Sequence, residues 1–313
     1  MRITAAKAVF LAQCVCLLLL ICGCNSLRAR RQTRELAHAR QNSLRGAEKL
    51  QQNKLQEAEI LFTEALRRSS VDERAQAGMA EVLWQRGEYT QATQHMTQAA
   101  AISGGNPDTL VRLGEMNLQQ GQLGEALSQA DAALESQRRH AGAWALRGKV
   151  LHQQQHLEEA MSCYHRALSD QPNLSDVQIA LAELYRELGR PQRALATLDA
   201  MTDGQSREQI SPQAWMLKGL ALADLGEQSA AKNCFKDAAL CCRDDATDLL
   251  LAVAQTQIDT GDFSEARMCL GRVFRHDPYN PQAQQLHAVL EQHARVEGRA
   301  RLAGFEQPAL GNP

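Results

Sequence analysis

The sequence predicts an all-α protein, a solenoid of about seven helical hairpins closed by a C-terminal capping helix, and three observations carry that prediction. The 313 residues are 44% hydrophobic but only 4% aromatic, with few glycines and prolines. Such a balance suits Ala/Leu-rich helices better than a sandwich or a nucleotide-binding sheet. Alanines recur at Ala58, Ala92, Ala126, Ala160 and Ala194 with a step of 34, then at Ala231 and Ala266 after steps of 37 and 35. A fixed period of this length marks a repeat architecture, in which each unit buries its apolar face against its neighbours.

The surroundings of the alanine repeat as well. A glycine stands five residues before it in five copies, as in "RGEYTQA" (86–92) and "TGDFSEA" (260–266), placed to end one helix through a left-handed turn. Four residues after it comes a bulky side chain, Phe62, Met96, Tyr164, Leu198, Phe235 or Leu270, with Ala130 as the exception. Seven after it lies Ala65, Ala99, Ala133, Ala167, Met201, Ala238 or Val273, so the three positions share one helical face. Twelve residues before it another small residue recurs: Gly46, Ala80, Gly114, Gly148, Ala182, Gly219 and Ala254. Small residues at both positions let two antiparallel helices approach closely while the bulky one fills the gap.

In order along the chain, the first element is a short apolar run. Arg2 and Lys7 precede residues 8–22, which only Gln13 interrupts, and the run is short against the roughly 20 residues of a bilayer span. A basic start, a short apolar centre and small residues at the end are the layout of an export signal. The end reads "ICGC", with Ile21 three positions and Gly23 one position before Cys24. It resembles a bacterial lipobox, although Cys22 is an unusual occupant of its slot. That resemblance implies cleavage after residue 23, a diacylglycerol on the Cys24 thiol and an acylated (palmitate-type) new amino terminus; an uncleaved signal anchor is the alternative. Cys14, Cys16 and Cys22 are then small apolar residues in a discarded segment. Residues 24–38 form a basic linker in which Arg28, Arg30, Arg31 and Arg34 precede the first acidic residue, Glu35. The remainder is mildly acidic, and the formal net charge of −2 gives no reason to expect nucleic acid.

Seven repeats follow over 39–72, 73–106, 107–140, 141–174, 175–211, 212–246 and 247–280. "WALRGKVLHQQQHLEEAMSCYHRALSDQPN" (144–173) is the fullest copy, with tryptophan, glycine, alanines, tyrosine and closing proline in register. The pattern resembles the tetratricopeptide repeat across residues 39–280, and the resemblance implies a right-handed superhelix. The first copy has Asn53 in place of the hinge glycine, and the fifth has Pro191 beside its hinge. Residues 203–211, polar with one glycine, read as a longer surface loop. Residues 281–302, apolar on one side only, read as a capping helix, and 303–313 as a disordered tail.

The resemblance places the first helix of each repeat along an inner groove where ligands bind. Its inward positions are Glu81, Trp84, Glu115, Lys149, His152, Glu183, Arg186, Met216 and Leu220, a surface of mixed charge that turns apolar toward the sixth repeat. Trp84 suits an interface anchor, or packing between repeats. No basic clamp for a peptide carboxylate is present.

Chemistry is sparse. Glycines fall at repeat positions and form no phosphate-cradling loop. His152 and His156 have the i, i+4 spacing of metal ligands but lack the glutamate of a zinc hydrolase motif and straddle a predicted helix end. Glu158 and Glu159 are adjacent and point apart, so they make no acid/base pair. Cys163, Cys234 and Cys269 precede the bulky position and read as buried small hydrophobes, while Cys241 and Cys242 are the thiols best placed to oxidise in an exported protein. No enzyme, cofactor or metal is implied. The expectation is a non-catalytic scaffold, lipid-anchored on the periplasmic side of a bacterial membrane, that binds a protein or peptide in its groove and serves assembly of a secretion, pilus or outer-membrane complex. The alternative is a regulatory adaptor of an envelope hydrolase or protease. Asn25, where an inner-membrane lipoprotein commonly has aspartate, favours the outer membrane slightly.

Overall fold

The computed structural model describes residues 33–305, with side chains described for 33–296. The expected signal peptide, Cys24, most of the linker and the tail from 306 lie outside the described residues. Among these, every regular element is helical. Helices α1 (33–51) and α2 (Leu55–Arg68) open the series, followed by α3 (Glu73–Gln85) and α4 (Tyr89–Ile102), then α5 (Pro107–Gln119) and α6 (Leu123–Ser136). Next come α7 (Ala141–Gln153), α8 (Leu157–Asp170), α9 (Ser175–Glu187), α10 (Pro191–Thr202), α11 (Pro212–Asp224), α12 (Gln228–Cys241), α13 (Thr247–Asp259) and α14 (Phe263–His276). The long α15 (Pro281–Phe305) follows. The contacts divide the chain into two compact units, residues 1–150 and 151–313.

Local chemistry explains the helix ends. The first helix of a pair often starts on a side-chain cap: the Asp72 carboxylate accepts from the Ala75 amide at 3.0 Å, and Asn106 and Ser211 do the same for α5 and α11, each followed by a proline suited to a first helical position. The second helix starts differently. In all seven pairs the residue between the helices takes a left-handed conformation, for instance Gly87 at φ 81°, and the amide that follows it reaches back across the turn, as Glu88 N–H does to Leu83 C=O at 2.9 Å. That bond takes up a carbonyl the helix end would otherwise leave open. Five hinges have glycine; Asn53 (φ 57°) and Gln155 (φ 64°) occupy the other two. Asparagine tolerates this region through its short side chain, whereas glutamine suffers the Cβ clash that disfavours it. Gln155→Gly is therefore expected to stabilise the protein by about 0.5–1 kcal/mol and Asn53→Gly by less, read from denaturant midpoints.

The cores follow the small-and-bulky pattern. In the first unit Phe62 is fully buried, and a Cβ added at Gly46 or Gly78 would meet its ring at 2.7 or 2.2 Å. Phe62 thus seats its ring on helices of its own hairpin and the next. Leu146 fills the same kind of space over Gly114. In the second unit the Phe235 ring lies over Gly219, and Leu198 and Leu270 are fully buried. First helices of successive pairs also touch there, α9 with α11, α11 with α13 and α13 with α15.

Two boundaries need correction, and one loop has more local structure than its composition suggests. Helix α1 takes in residues 33–38, which the sequence assigns to the linker; Glu35 is held by Arg68 at 2.8 Å and Ala39 is fully buried, so the first turns are anchored on α2 and on the core. The insertion is a surface loop as expected, exposed over 203–209, and holds a 3-10 turn (Arg207–Gln209) closed by a Ser206/Gln209 capping box. Ile210 is buried, and Trp215 Nε1 and Cys241 Sγ both donate to the Arg207 carbonyl at 3.4 Å. One apolar residue and one carbonyl order a segment whose composition is otherwise that of a loop. Helix α15 runs past residue 302 to Phe305; Ala283, Leu286 and Leu290 are its buried side, while Val289 and Val296 are exposed.

Candidate protein-binding surface

Most of the first-helix positions singled out in the sequence are engaged within the protein, with partners outside that set. In the first unit Arg112 of α5 forks onto the Glu81 carboxylate of α3, with Nε and Nη2 donating at 2.6 and 2.8 Å, and Nη1 donates to Glu115 at 3.2 Å. One guanidinium therefore bridges both carboxylates and offsets one of their two charges, from a residue that stands one turn before Glu115 and outside the positions expected to face the groove. The Arg112 guanidinium also stands 6.0 Å from the Trp84 ring, which meets Tyr89 edge-on at 4.7 Å. Trp84 is half-buried and packs between two core clusters, so packing is its main occupation. Lys149 is half-buried and has no ion-pair partner among the described residues.

In the second unit the pairing links neighbouring repeats. His152 lies 2.9 Å from Glu187, and Arg186 Nε donates to Asp224 at 2.8 Å. Glu183 is exposed. Met216 and Leu220, expected as apolar groove contacts, are partly buried and pack on the α12–α15 core and the α11–α12 core, respectively. Sequence reasoning did not anticipate the carboxylate partners Glu187 and Asp224, although each is the final residue of the following first helix. The signal was the spacing, 35 and 38 residues from the cation to its acid. Being partly exposed, each such pair is worth at most about 1 kcal/mol, so their service is to hold register between repeats.

The thiols are quiet. Cys163, Cys234 and Cys269 are buried as expected, and burial pushes Cys234 and Cys269 up to about 11. Burial also raises Cys241 and Cys242, so little of any of these four is thiolate at neutral pH. Among the described residues no three His, Cys, Asp or Glu side chains gather as a metal site would need, and no helix is long and apolar enough to cross a membrane.

Paired helices joined by left-handed hinges, repeated along the chain, define a helical-repeat protein. Models of the tetratricopeptide repeat match residues 44–107, 83–150, 151–221 and 212–240, which together run from 44 to 240. The chain belongs to the tetratricopeptide repeat family, whose members generally bind protein partners. No curated protein matches it in sequence. Among solved structures it is similar to a tetratricopeptide repeat protein from Parabacteroides merdae, with 20% identity over 72% of this chain and 88% of that one and a TM-score of 0.57. It is similar to PilF of Pseudomonas aeruginosa at 15% identity, covering 81% of this chain and 98% of that one, TM-score 0.56. PilW, described as a widely conserved type IV pilus biogenesis factor, matches at 15% identity over 79% of this chain and 97% of that one, TM-score 0.57. At these identities the likeness is one of fold.

Proposed function

We propose that the protein is a non-catalytic scaffold of the bacterial cell envelope, held to the membrane by a lipid on Cys24, that binds a protein or peptide partner along its first-helix faces during assembly of a secretion, pilus or outer-membrane complex. The observation that carries the reading is the joining of an "ICGC" lipobox-like end, nine residues before the first described residue, to a repeat array of this family. An apolar segment too short to span, a small-residue end and a cysteine make an address and an anchor. Nine residues reach at most about 30 Å, so the anchor keeps the first hairpin near the bilayer. Arginines at 28, 30, 31 and 34 add attraction to anionic lipid, about 1 kcal/mol for each one near the surface. Fold likeness to PilF and PilW over nearly their whole length is consistent with pilus assembly, and Asn25 favours the outer membrane.

Cys24→Ala is expected to abolish metabolic palmitate labelling and move the protein out of the membrane fraction. Unchanged labelling and fractionation would reject the anchor. Affinity capture from crosslinked envelopes tests the partner class: structural components of a secretion or pilus machine support the scaffold, and an envelope hydrolase or protease alone would reject assembly in favour of regulation.

A further inference from the structure

An open cavity of about 590 Å³ lies in the first unit among α1, the α2–α3 turn and the last residue of α4. Leu36 of α1, Val71 of the turn and Ile102 of α4 line it and are 39%, 66% and 36% exposed, three large apolar side chains that the fold leaves in water. Arg40, one turn after Leu36, and Arg74, in the first turn of α3, line it as well. Both are exposed, and neither side chain has a hydrogen-bond or ion-pair partner among the described residues. The neighbouring acids are engaged with the protein. The Asp72 carboxylate caps α3 and accepts from the Ser43 hydroxyl at 3.2 Å, Glu73 accepts from Thr109 Oγ1 of α5 at 3.4 Å, and Glu35 is paired with Arg68. What the cavity turns outward is therefore apolar tips and positive charge.

We infer that this face docks on a bilayer containing anionic phospholipid, with Leu36, Val71 and Ile102 entering the boundary between headgroups and acyl chains and Arg40 and Arg74 meeting the phosphates. Apolar side chains with cations among them make a surface suited to the membrane interface, because arginine stems lie along apolar surface while their charged heads reach the lipid phosphates. The inference rests on the anchor proposed at Cys24 and deepens it. Thr33, where the described chain begins, is held by chain length within about 30 Å of Cys24, and Leu36 follows three residues later, so the face stays within reach of the bilayer. Arg28, Arg30 and Arg31 lie between, with no acidic residue before Glu35, and continue the same charge toward the anchor. A lipid alone sets the distance of the protein from the membrane. Docking sets which side of the first hairpin faces it.

The test uses the full-length protein, purified in detergent, reconstituted in vesicles of phosphatidylcholine with or without phosphatidylglycerol and floated on a density gradient, with the photoreactive residue p-benzoylphenylalanine in place of Val71. Irradiation should join phospholipid to residue 71 in the anionic vesicles and much less in the neutral ones, read by mass spectrometry. The same probe at Ile60, which is 68% exposed on α2 and outside the cavity, should take up little lipid in either. An arginine near an anionic surface contributes about fivefold, so Arg40→Gln combined with Arg74→Gln should weaken docking by about thirtyfold and lower the labelling of residue 71. The charge-keeping pair Arg40→Lys and Arg74→Lys should label as the unaltered arginines do. If the chain floats but residue 71 takes up no more lipid than residue 60, or the glutamine pair labels undiminished, the docking inference is overturned and the anchor stands. A chain that does not float at all rejects the anchor, and the docking inference falls with it. Residue 71 joined to a protein rather than to lipid in irradiated envelopes would overturn the inference in favour of a protein-docking face.

Discussion

Phe62→Ala is expected to destabilise the protein by about 3–5 kcal/mol, the range for removing a fully buried phenylalanine from a close-packed core. Its ring has no exposed surface and occupies the space left by two missing Cβ atoms, at Gly46 on α1 and Gly78 on α3. Truncation at this position strips the ring from both hairpins at once, and neither helix can close in without moving against Ala58, Ala65 and Ala75, which are fully buried beside it. Filling from the other side distinguishes a wedge from a mere hydrophobe. Gly78→Ala alone should also destabilise, because its methyl would meet the ring, but combined with Phe62→Ala it should cost less than the sum of the two, the signature of residues sharing one space. Denaturant midpoints at constant slope provide the measurement. A loss under about 1 kcal/mol for Phe62→Ala, or simple additivity of the pair, would reject the wedge.

What is legible in the sequence is whatever sterics write into residue size. The alanine at one helix and the glycine or alanine at its partner have no alternative explanation at a period of 34 residues, so the helix pairs and their buried faces follow directly. Hinges at Asn53 and Gln155 are less legible, because a left-handed turn made by a residue with a Cβ leaves no mark in composition. The start of α1 is hidden for a different reason: residues 33–38 are mostly polar, and their helix depends on the Glu35–Arg68 pair and on Ala39 entering the core. On the candidate surface, the inward positions follow from one helix at a time. Pairings such as Arg112 with Glu81 and Arg186 with Asp224 join different repeats, so no reading of single helices could yield them.

Gly114→Val is expected to cost about 3 kcal/mol, while Gly271→Ala is expected to stabilise by about 0.5–1 kcal/mol. Both glycines lie in helices, α5 and α14, and both would gain from any side chain the lower unfolded-state entropy that glycine lacks. The difference is in front of them. A Cβ at position 114 would stand 2.4 Å from Leu146 Cδ2, 3.2 Å from Gln129 Cβ and 3.3 Å from the Ala126 carbonyl oxygen. Leu146 is itself almost fully buried and the Ala126 oxygen is backbone on α6, so neither can retreat without opening the α5–α6 contact or the seat of α7. Nothing lies within 4 Å of a Cβ at Gly271, which faces solvent. Thermal unfolding of the two single variants checks the pair. Equal signs would mean that helix propensity governs both sites, and opposite signs that the neighbouring hairpin does, since occupancy of the space before the Cα is what separates a glycine this fold requires from one it merely carries.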